Sequence, residues 1–515
     1  MMKKNLPFFS GALFIAVTVA AIQYVVLKST GGVFCYPLDD TFIHMAVSDN
    51  IAQHGVWGIT PAEFTSTSSS PFFTLLLAAS IKIFGNTIFL PIILSSIGTL
   101  IILLAMQQEL NRFSALTVFN KILTVITVLI VGALPALTLL GMEHTLQIGF
   151  TLLYVHAIAS YLHTRQPLYF KQALLFGFLM VFTRYENSFF IAGSFALLVW
   201  QKQWKQALIV AVMGALPILL FGLYAKSQGG FFIPNSVMIK ANQNLKFFFN
   251  GGASILETAK SITGLIVVCL LLAVQKLKEQ NKDRDFWILC LLVIAGVMHG
   301  ALAQFGWFYR YEAYIIVLGT LHLTKMGLTW WQQNGWIVLK KQWVLGAVFF
   351  LLLFNLPLRG ANSFRNSIRA IYNIYEQQYQ MALFMQQFYK GQTVAANDIG
   401  AITYYAKLNT IDLWGLGNNK IADARKNFYW NNDFLQQTVK TTNTRVAVIY
   451  DSWFDKDLTK PWHKVATWEM PYNYICGDIK VTFYGITETE AATLKNNLAA
   501  FQSQLPRDIK VEYFR

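Results

Sequence analysis

The sequence predicts a polytopic α-helical membrane protein of about eleven spans with outer interfacial helices, followed by a C-terminal soluble α/β domain. Two observations carry this prediction. Of 515 residues, 13% are charged and 55% are hydrophobic, whereas a soluble globular chain carries about 25% charged residues. Too few charges remain to cover a water-facing surface of this size, which excludes a soluble enzyme and a disordered chain. Four cysteines are too sparse for a disulfide scaffold. The second observation is the distribution of charge. Residues 360–515 hold 17 Lys+Arg and 14 Asp+Glu, leaving 24 basic and 12 acidic residues for the first 359. The division expected is therefore a transmembrane part, 1–359, and an α/β domain, 360–515. The net charge of +15 is read as basic cytoplasmic loops, so no nucleic-acid partner is expected.

Lys3 and Lys4 precede an apolar run from Leu6 to Leu27. That run exceeds the roughly 7–15 residues of a signal-peptide core and reads as a retained first span. Further runs lie near 88–107, 119–138, 144–162, 172–184, 187–200, 206–225, 259–275, 286–304, 312–325 and 343–358. Several fall short of the ~20 residues of a full span, which tilted packing or local thinning tolerates. The run Pro71–Phe84 is assigned to the outer interface. If it does not cross, the short gaps containing Arg112, Lys121, Arg165, Lys202, Lys276 and Lys340 all fall on the cytoplasmic side, as the positive-inside rule requires. The N-terminus is then cytoplasmic and the C-terminal domain periplasmic, at a bacterial inner membrane.

The C-terminal part alternates strand-like segments (393–396, 410–413, 445–450, 465–470, 480–486) with helix-like ones (368–389, 489–502), the pattern of a small α/β domain.

The same topology collects polar residues on the outer side. Directly after the first span comes Tyr36-Pro37-Leu38-Asp39-Asp40-Thr41-Phe42-Ile43-His44. Asp39 is expected to cap a helix running to about Gln53. Ile43, Val47 and Ile51 make one apolar stripe, and Asp40 and His44 share another face. The expectation is an amphipathic helix lying on the bilayer, with two carboxylates at its start. Capping alone is the plainer reading of the pair. Glu143, His144 and Glu186 also fall outside, and acids at a membrane interface are costly and often functional.

Several segments look familiar. The Asp39-Asp40 pair after the first span resembles that of GT-C glycosyltransferases. Gly141-Met142-Glu143-His144, Thr183-Arg184-Tyr185-Glu186-Asn187, Pro234-Asn235-Ser236 with Lys240, and Arg310-Tyr311 are similar to motifs of the GT-C branch that includes mycobacterial terminal arabinofuranosyltransferases. So are Asn397-Asp398-Ile399-Gly400-Ala401-Ile402 and Ile411-Asp412-Leu413-Trp414-Gly415-Leu416. The matches run in order from residue 39 to 416. Tyr185 and Asn187 stand where that branch has Pro and Gly, and no Pro follows Arg310-Tyr311.

The resemblance implies an inverting glycosyltransferase that moves a hexosyl or pentosyl unit from a polyprenyl-phosphate donor to a glycan, lipid or protein acceptor. A sugar hydroxyl needs a base to take its proton, and a leaving lipid phosphate needs fixed cations. Asp39 is ranked first and Asp40 second for the base. Arg184, Lys240 and Arg310 are the candidate phosphate ligands, with headgroup snorkelling as their alternative use. His44, Glu143, His144, Glu186, Asn235 and Tyr311 complete the expected substrate-binding set. No cofactor is required. A divalent cation has one candidate ligand, His44 beside the Asp pair, and no compact cluster behind it. The aromatics Trp307–Tyr314 fit an interfacial belt or, less simply, sugar stacking. Cys35 and Cys476 both fall outside and are either unpaired thiols or a bridge clamping the domain over the Asp pair. The competing function is a transporter or flippase for lipid-linked sugars, for which an internal repeat is the missing sign.

Overall fold

A computed structural model describes residues 2–239, 260–341 and 343–514. Among the described residues, helices dominate up to residue 388 and every strand lies beyond residue 392. Among the described residues, six helices are long and apolar enough to cross a membrane: Lys4–Ser29, Leu90–Asn111, His144–Thr164, Trp204–Ser227, Arg284–Leu302 and Gly346–Phe388. A seventh results if Val118–Val131 and Leu134–Leu140, bent by 54°, form one broken span. The eleven expected spans exceed this number partly because Pro167–Thr183 and Ser188–Trp200 have only 17 and 13 residues.

The bend after Val131 leads into the turn that builds the site. Gly141 has φ +63°, and a Cβ there would lie 2.5 Å from the Tyr36 ring. Only glycine fits this left-handed corner, which delivers Met142, Glu143 and His144 to the start of the helix His144–Thr164. That helix forms the bundle's axis, buried over almost its whole length.

The helix Asp40–His54 departs from expectation. Thr41 to Ser48 are all buried, so it does not lie on a bilayer surface with one stripe down. It is wedged between Pro71–Phe84 and the short helix Gly400–Ala406 of the C-terminal unit, with the Phe42 ring against those of Tyr404 and Tyr405. Asp39 stands at its N-cap without a capping side-chain bond.

The strands are β1 (Thr393–Ala396), β2 (Asn409–Asp412), β3 (Val446–Ile449), β4 (His463–Glu469), β5 (Lys480–Gly485) and β6 (Lys510–Tyr513). They form one mixed sheet in the order β2-β1-β3-β5-β4-β6. β1 runs parallel to β2 and β3, and the remaining pairs are antiparallel. β6 was not expected, because Lys510-Val511-Glu512-Tyr513 is a half-exposed edge strand with little apolar content. The expected helix 368–389 is the end of a longer one. Asn355–Ile374 continues through a π-helical segment, Tyr375–Tyr379, into Gln380–Phe388, so the boundary drawn at 359/360 falls inside a helix.

Candidate functional site

The two aspartates diverge. The Asp39 carboxylate turns toward the C-terminal unit and accepts the backbone N–H groups of Gly400 at 2.6 Å and Ala401 at 2.7 Å. A Cβ on Gly400 would come within 2.2 Å of the Asp39 carbonyl oxygen. The first Asp of one motif is therefore bound by the Gly-Ala of another, 361 residues on. Burial, with Asp398 nearby, raises the Asp39 carboxyl well above the usual range, although the two amides pull the other way.

Asp40 turns into a narrow cleft of about 30 Å³. Its Oδ2 accepts from Arg310 Nη2 at 2.6 Å. The Asp40 side chain is 35% exposed, whereas Arg310 is 2% exposed. His44, Arg184 and Tyr311 line the same cleft, and Tyr311 lies under both guanidiniums, 4.9 Å from Arg310 and 5.6 Å from Arg184. Burial opposes the charge on Arg310, but Tyr311 and Asp40 more than offset it and leave the pKa raised.

Arg184 is the hub of the inner wall. Its Nη1 donates to Glu143 Oε1 at 2.7 Å and its Nη2 to Glu186 Oε1 at 2.6 Å. Burial disfavours its charge, yet Glu186 and Glu143 raise its pKa above the arginine norm. Glu143 is fully buried. Burial opposes its ionisation, but His144, His44 and Arg184 hold its carboxyl well below the usual range. Glu186 sits at about 2, because Arg184 outweighs the burial cost. His44 Nε2 lies 3.3 Å from Glu143 Oε2, and its Nδ1 3.3 Å from the Ser68 hydroxyl. His144 Nε2 lies 3.5 Å from Arg184 Nη1. Asn235 does not line the cleft. It accepts from Ser66 at 3.1 Å and donates to Asn419 at 2.9 Å, tying the Ser/Thr loop to the C-terminal unit, while its neighbour Ser236 faces the cleft. Lys240 lies outside the described residues.

Sequence reasoning did not assign Thr67, Ser68 or Ser69 to the cleft wall, and held Met142 and Leu416 only as letters of the motifs. The polar tract 66–70 before an apolar helix was the available signal for the first three. Leu416 is placed by Asp412, which accepts from Trp414 N–H at 2.8 Å and Gly417 N–H at 2.6 Å and so folds its own motif into a tight loop. The bridge between Cys35 and Cys476 is not formed. Both are buried free thiols, and Cys476 Sγ donates to Gln378 Oε1 at 3.1 Å. The aromatic stretch splits as well: Trp307 is 48% exposed while Tyr314 is buried against His299.

A compact ligand cluster does exist, at the other end of the bundle. Among the described residues, Glu109, His156 and His322 bring ligand atoms within 4.8 Å of one another. The positions are spread over more than 200 residues, so no spacing motif could signal them. Glu109 is reached by Arg284 at 2.7 Å and by Lys325 at 3.1 Å, and Lys325 also pairs with Asp285 at 2.6 Å. Two carboxylates are thus balanced by two cations, and a divalent ion would add uncompensated buried charge. This donor set does not suit a metal.

Residues 368–484 match a sequence family described as a domain of unknown function, DUF8728. No curated protein matches the chain. Among solved structures, ArnT from Cupriavidus metallidurans bound to undecaprenyl phosphate superposes with a TM-score of 0.51 at 10% identity, over 93% of this chain and 98% of that one. The apo state of the same protein gives 0.50 at 12% identity, over 92% and 98%. The archaeal oligosaccharyltransferase AglB from Archaeoglobus fulgidus, in complex with an inhibitory peptide and a dolichol-phosphate, gives 0.45 at 12% identity, over 96% and 78%. These likenesses do not single out the mycobacterial branch. Over almost its entire length, this chain has the fold of ArnT.

Proposed function

We propose that the chain is an inverting glycosyltransferase that takes a sugar from a polyprenyl-phosphate donor and passes it to an acceptor hydroxyl at the outer face of a bacterial inner membrane. The observation that carries the reading is the cleft itself. An accessible carboxylate, Asp40, faces two buried guanidiniums, Arg184 and Arg310, within a fold shared with a protein that binds undecaprenyl phosphate.

In this mechanism Asp40 removes the acceptor proton as the acceptor oxygen attacks the anomeric carbon. The bond from that carbon to the phosphate oxygen breaks, and the polyprenyl phosphate leaves with the electron pair. Arg310 and Arg184 hold the departing anion. Lys240, from the Pro234-Asn235-Ser236 motif segment, is assigned as a third cation for the phosphate. Glu143 and Glu186 position Arg184, and His44 positions Glu143. Asp39 docks the C-terminal unit, which reads the acceptor: a glycan, a lipid or a protein. The chemistry requires no metal. The N-terminus lies in the cytoplasm and the unit from about residue 360 in the periplasm, with about eleven crossings once the short helices are included.

The experiment is to incubate purified protein in lipid nanodiscs with a panel of polyprenyl-phosphate sugars and candidate acceptors. Released polyprenyl phosphate with matching glycosylated acceptor is expected from one donor. Donor translocation without release would instead favour the transporter reading.

A further inference from the structure

A second cavity, of about 400 Å³, opens on the side of the helical bundle. Its floor is the central helix His144–Thr164, and its walls are Leu90–Asn111 and Pro167–Thr183. The lining positions on the first wall, Ile101, Leu104, Gln108 and Arg112, follow one helical face. The groove is polar at one end and apolar at the other. Gln108, Arg112, His156, Tyr169 and Gln172 form the polar end; Ile101, Leu104, Phe150, Leu153 and Phe176 form the apolar end.

The gradient has the dimensions of one leaflet. From Ile101 to Arg112 the helix rises about 16 Å at 1.5 Å per residue, close to the ~15 Å hydrocarbon half-thickness of a bilayer. The polar end is remote from the catalytic cleft. Thr145 bonds the Ser95 carbonyl at 2.7 Å near the cleft end of these helices, whereas Arg112 follows the far terminus of Leu90–Asn111. The groove therefore opens toward the leaflet opposite the cleft.

Its electrostatics select a charge. No carboxylate lines it, and among the described residues none pairs with Arg112, whose guanidinium rests 5.8 Å from the Tyr169 ring centre. The guanidinium, both amides and the phenol are hydrogen-bond donors. The wall behind His156 is rigid, because His156 bonds His322 at 3.2 Å within the Glu109–Arg284–Lys325 network.

The geometry points to a binding site for an anionic phospholipid of the leaflet opposite the catalytic cleft. Arg112, Gln108, Gln172 and Tyr169 take the headgroup phosphate, and Phe150, Leu153 and Phe176 take an acyl chain. This occupant is distinct from the donor lipid of the proposed reaction, and its test does not depend on transfer.

Full-length protein, delipidated in detergent, is titrated with phosphatidylglycerol or with phosphatidylcholine of identical chains and examined by native mass spectrometry. Wild type is expected to retain one phosphatidylglycerol at least fivefold better than phosphatidylcholine. Arg112→Gln should reduce the retention of phosphatidylglycerol to the level of phosphatidylcholine. Arg112→Lys, which keeps the charge, should preserve the preference, and Arg165→Gln, outside the groove, should leave it intact. Equal retention of the two lipids by wild type, or an unchanged preference in Arg112→Gln, would overturn the assignment.

Discussion

Asp40 and Arg310 meet at 2.6 Å across 270 residues of sequence, while Asp39, one residue earlier, points the opposite way and holds the amides of Gly400 and Ala401. Adjacent side chains on a chain entering a helix diverge by about 100°, and here that divergence separates two tasks. One carboxylate docks the C-terminal unit; the other is presented to the cleft.

Arg310 is expected to matter through its fork as well as its charge. Arg310→Lys keeps the cation but loses paired donation. Arg310→Gln loses both, and a lost bond to a charged group is worth about 1.5–3 kcal/mol, or roughly 10- to 150-fold in kcat/KM. Steady-state kinetics should rank wild type above Lys and Lys above Gln. Equal activities in all three would remove Arg310 from phosphate binding.

The Glu143–Arg184 pair is buried, with the Glu143 side chain fully covered. Arg184→Gln strands that carboxylate and should destabilise the protein by about 3–5 kcal/mol. The double variant Glu143→Gln/Arg184→Gln should recover part of that loss. Denaturation in detergent checks both, and additive losses would show that the two side chains are not coupled.

Gly400→Ala should undock the C-terminal unit, because the new Cβ meets Asp39 Oδ2 at 2.5 Å as well as its carbonyl. Overpacking of this kind costs about 1–3 kcal/mol. Limited proteolysis should then cut within residues 393–513 sooner, with Ala401→Gly as a milder control. Wild-type resistance in Gly400→Ala would show that the contact is dispensable.

Asp412 introduces a pH dependence. Burial pushes its carboxyl up to about 6 from 3.8, despite the amides of Gly417 and Trp414. A folded-state pKa above the unfolded one means that the folded chain binds the extra proton between about pH 4 and 6. Stability contributed by this group is full below that window and falls as pH rises through it, by on the order of 3 kcal/mol. Asp412→Asn should flatten that part of a melting-temperature profile. An unchanged slope would mean that Asp412 stays ionised in the folded protein throughout the window.

The apolar helices of the first part and five of the six described strands were legible because apolar periodicity and length suffice for buried elements, whereas the short helices Gly400–Ala406, Asn419–Lys426 and Asn432–Thr441 were not. β6 was not, since an edge strand such as Lys510–Tyr513 carries little apolar signal. Asp40, His44, Arg184, Arg310 and Tyr311 were legible as a group through the order of their motifs, and the structure brings all five into one cleft. The direction of each aspartate was not legible, because it depends on Gly400, which is distant in sequence. The burial of the helix Asp40–His54 was hidden for the same reason: its apolar stripe fits a bilayer as well as it fits Tyr404 and Tyr405. The His156–His322 contact joins two helices with no local motif between them.

The most direct test compares Asp40→Asn with Asp39→Asn in the polyprenyl-phosphate-sugar assay, alongside their melting temperatures. Asp40→Asn is predicted to lower transfer per folded molecule by at least the ~10²-fold of a lost general base, beyond any loss of melting temperature from the broken ion pair with Arg310. Asp39→Asn is predicted to melt earlier and to retain most of its turnover per folded molecule. Near-normal transfer by Asp40→Asn, with the loss falling on a stably folded Asp39→Asn, would contradict the account.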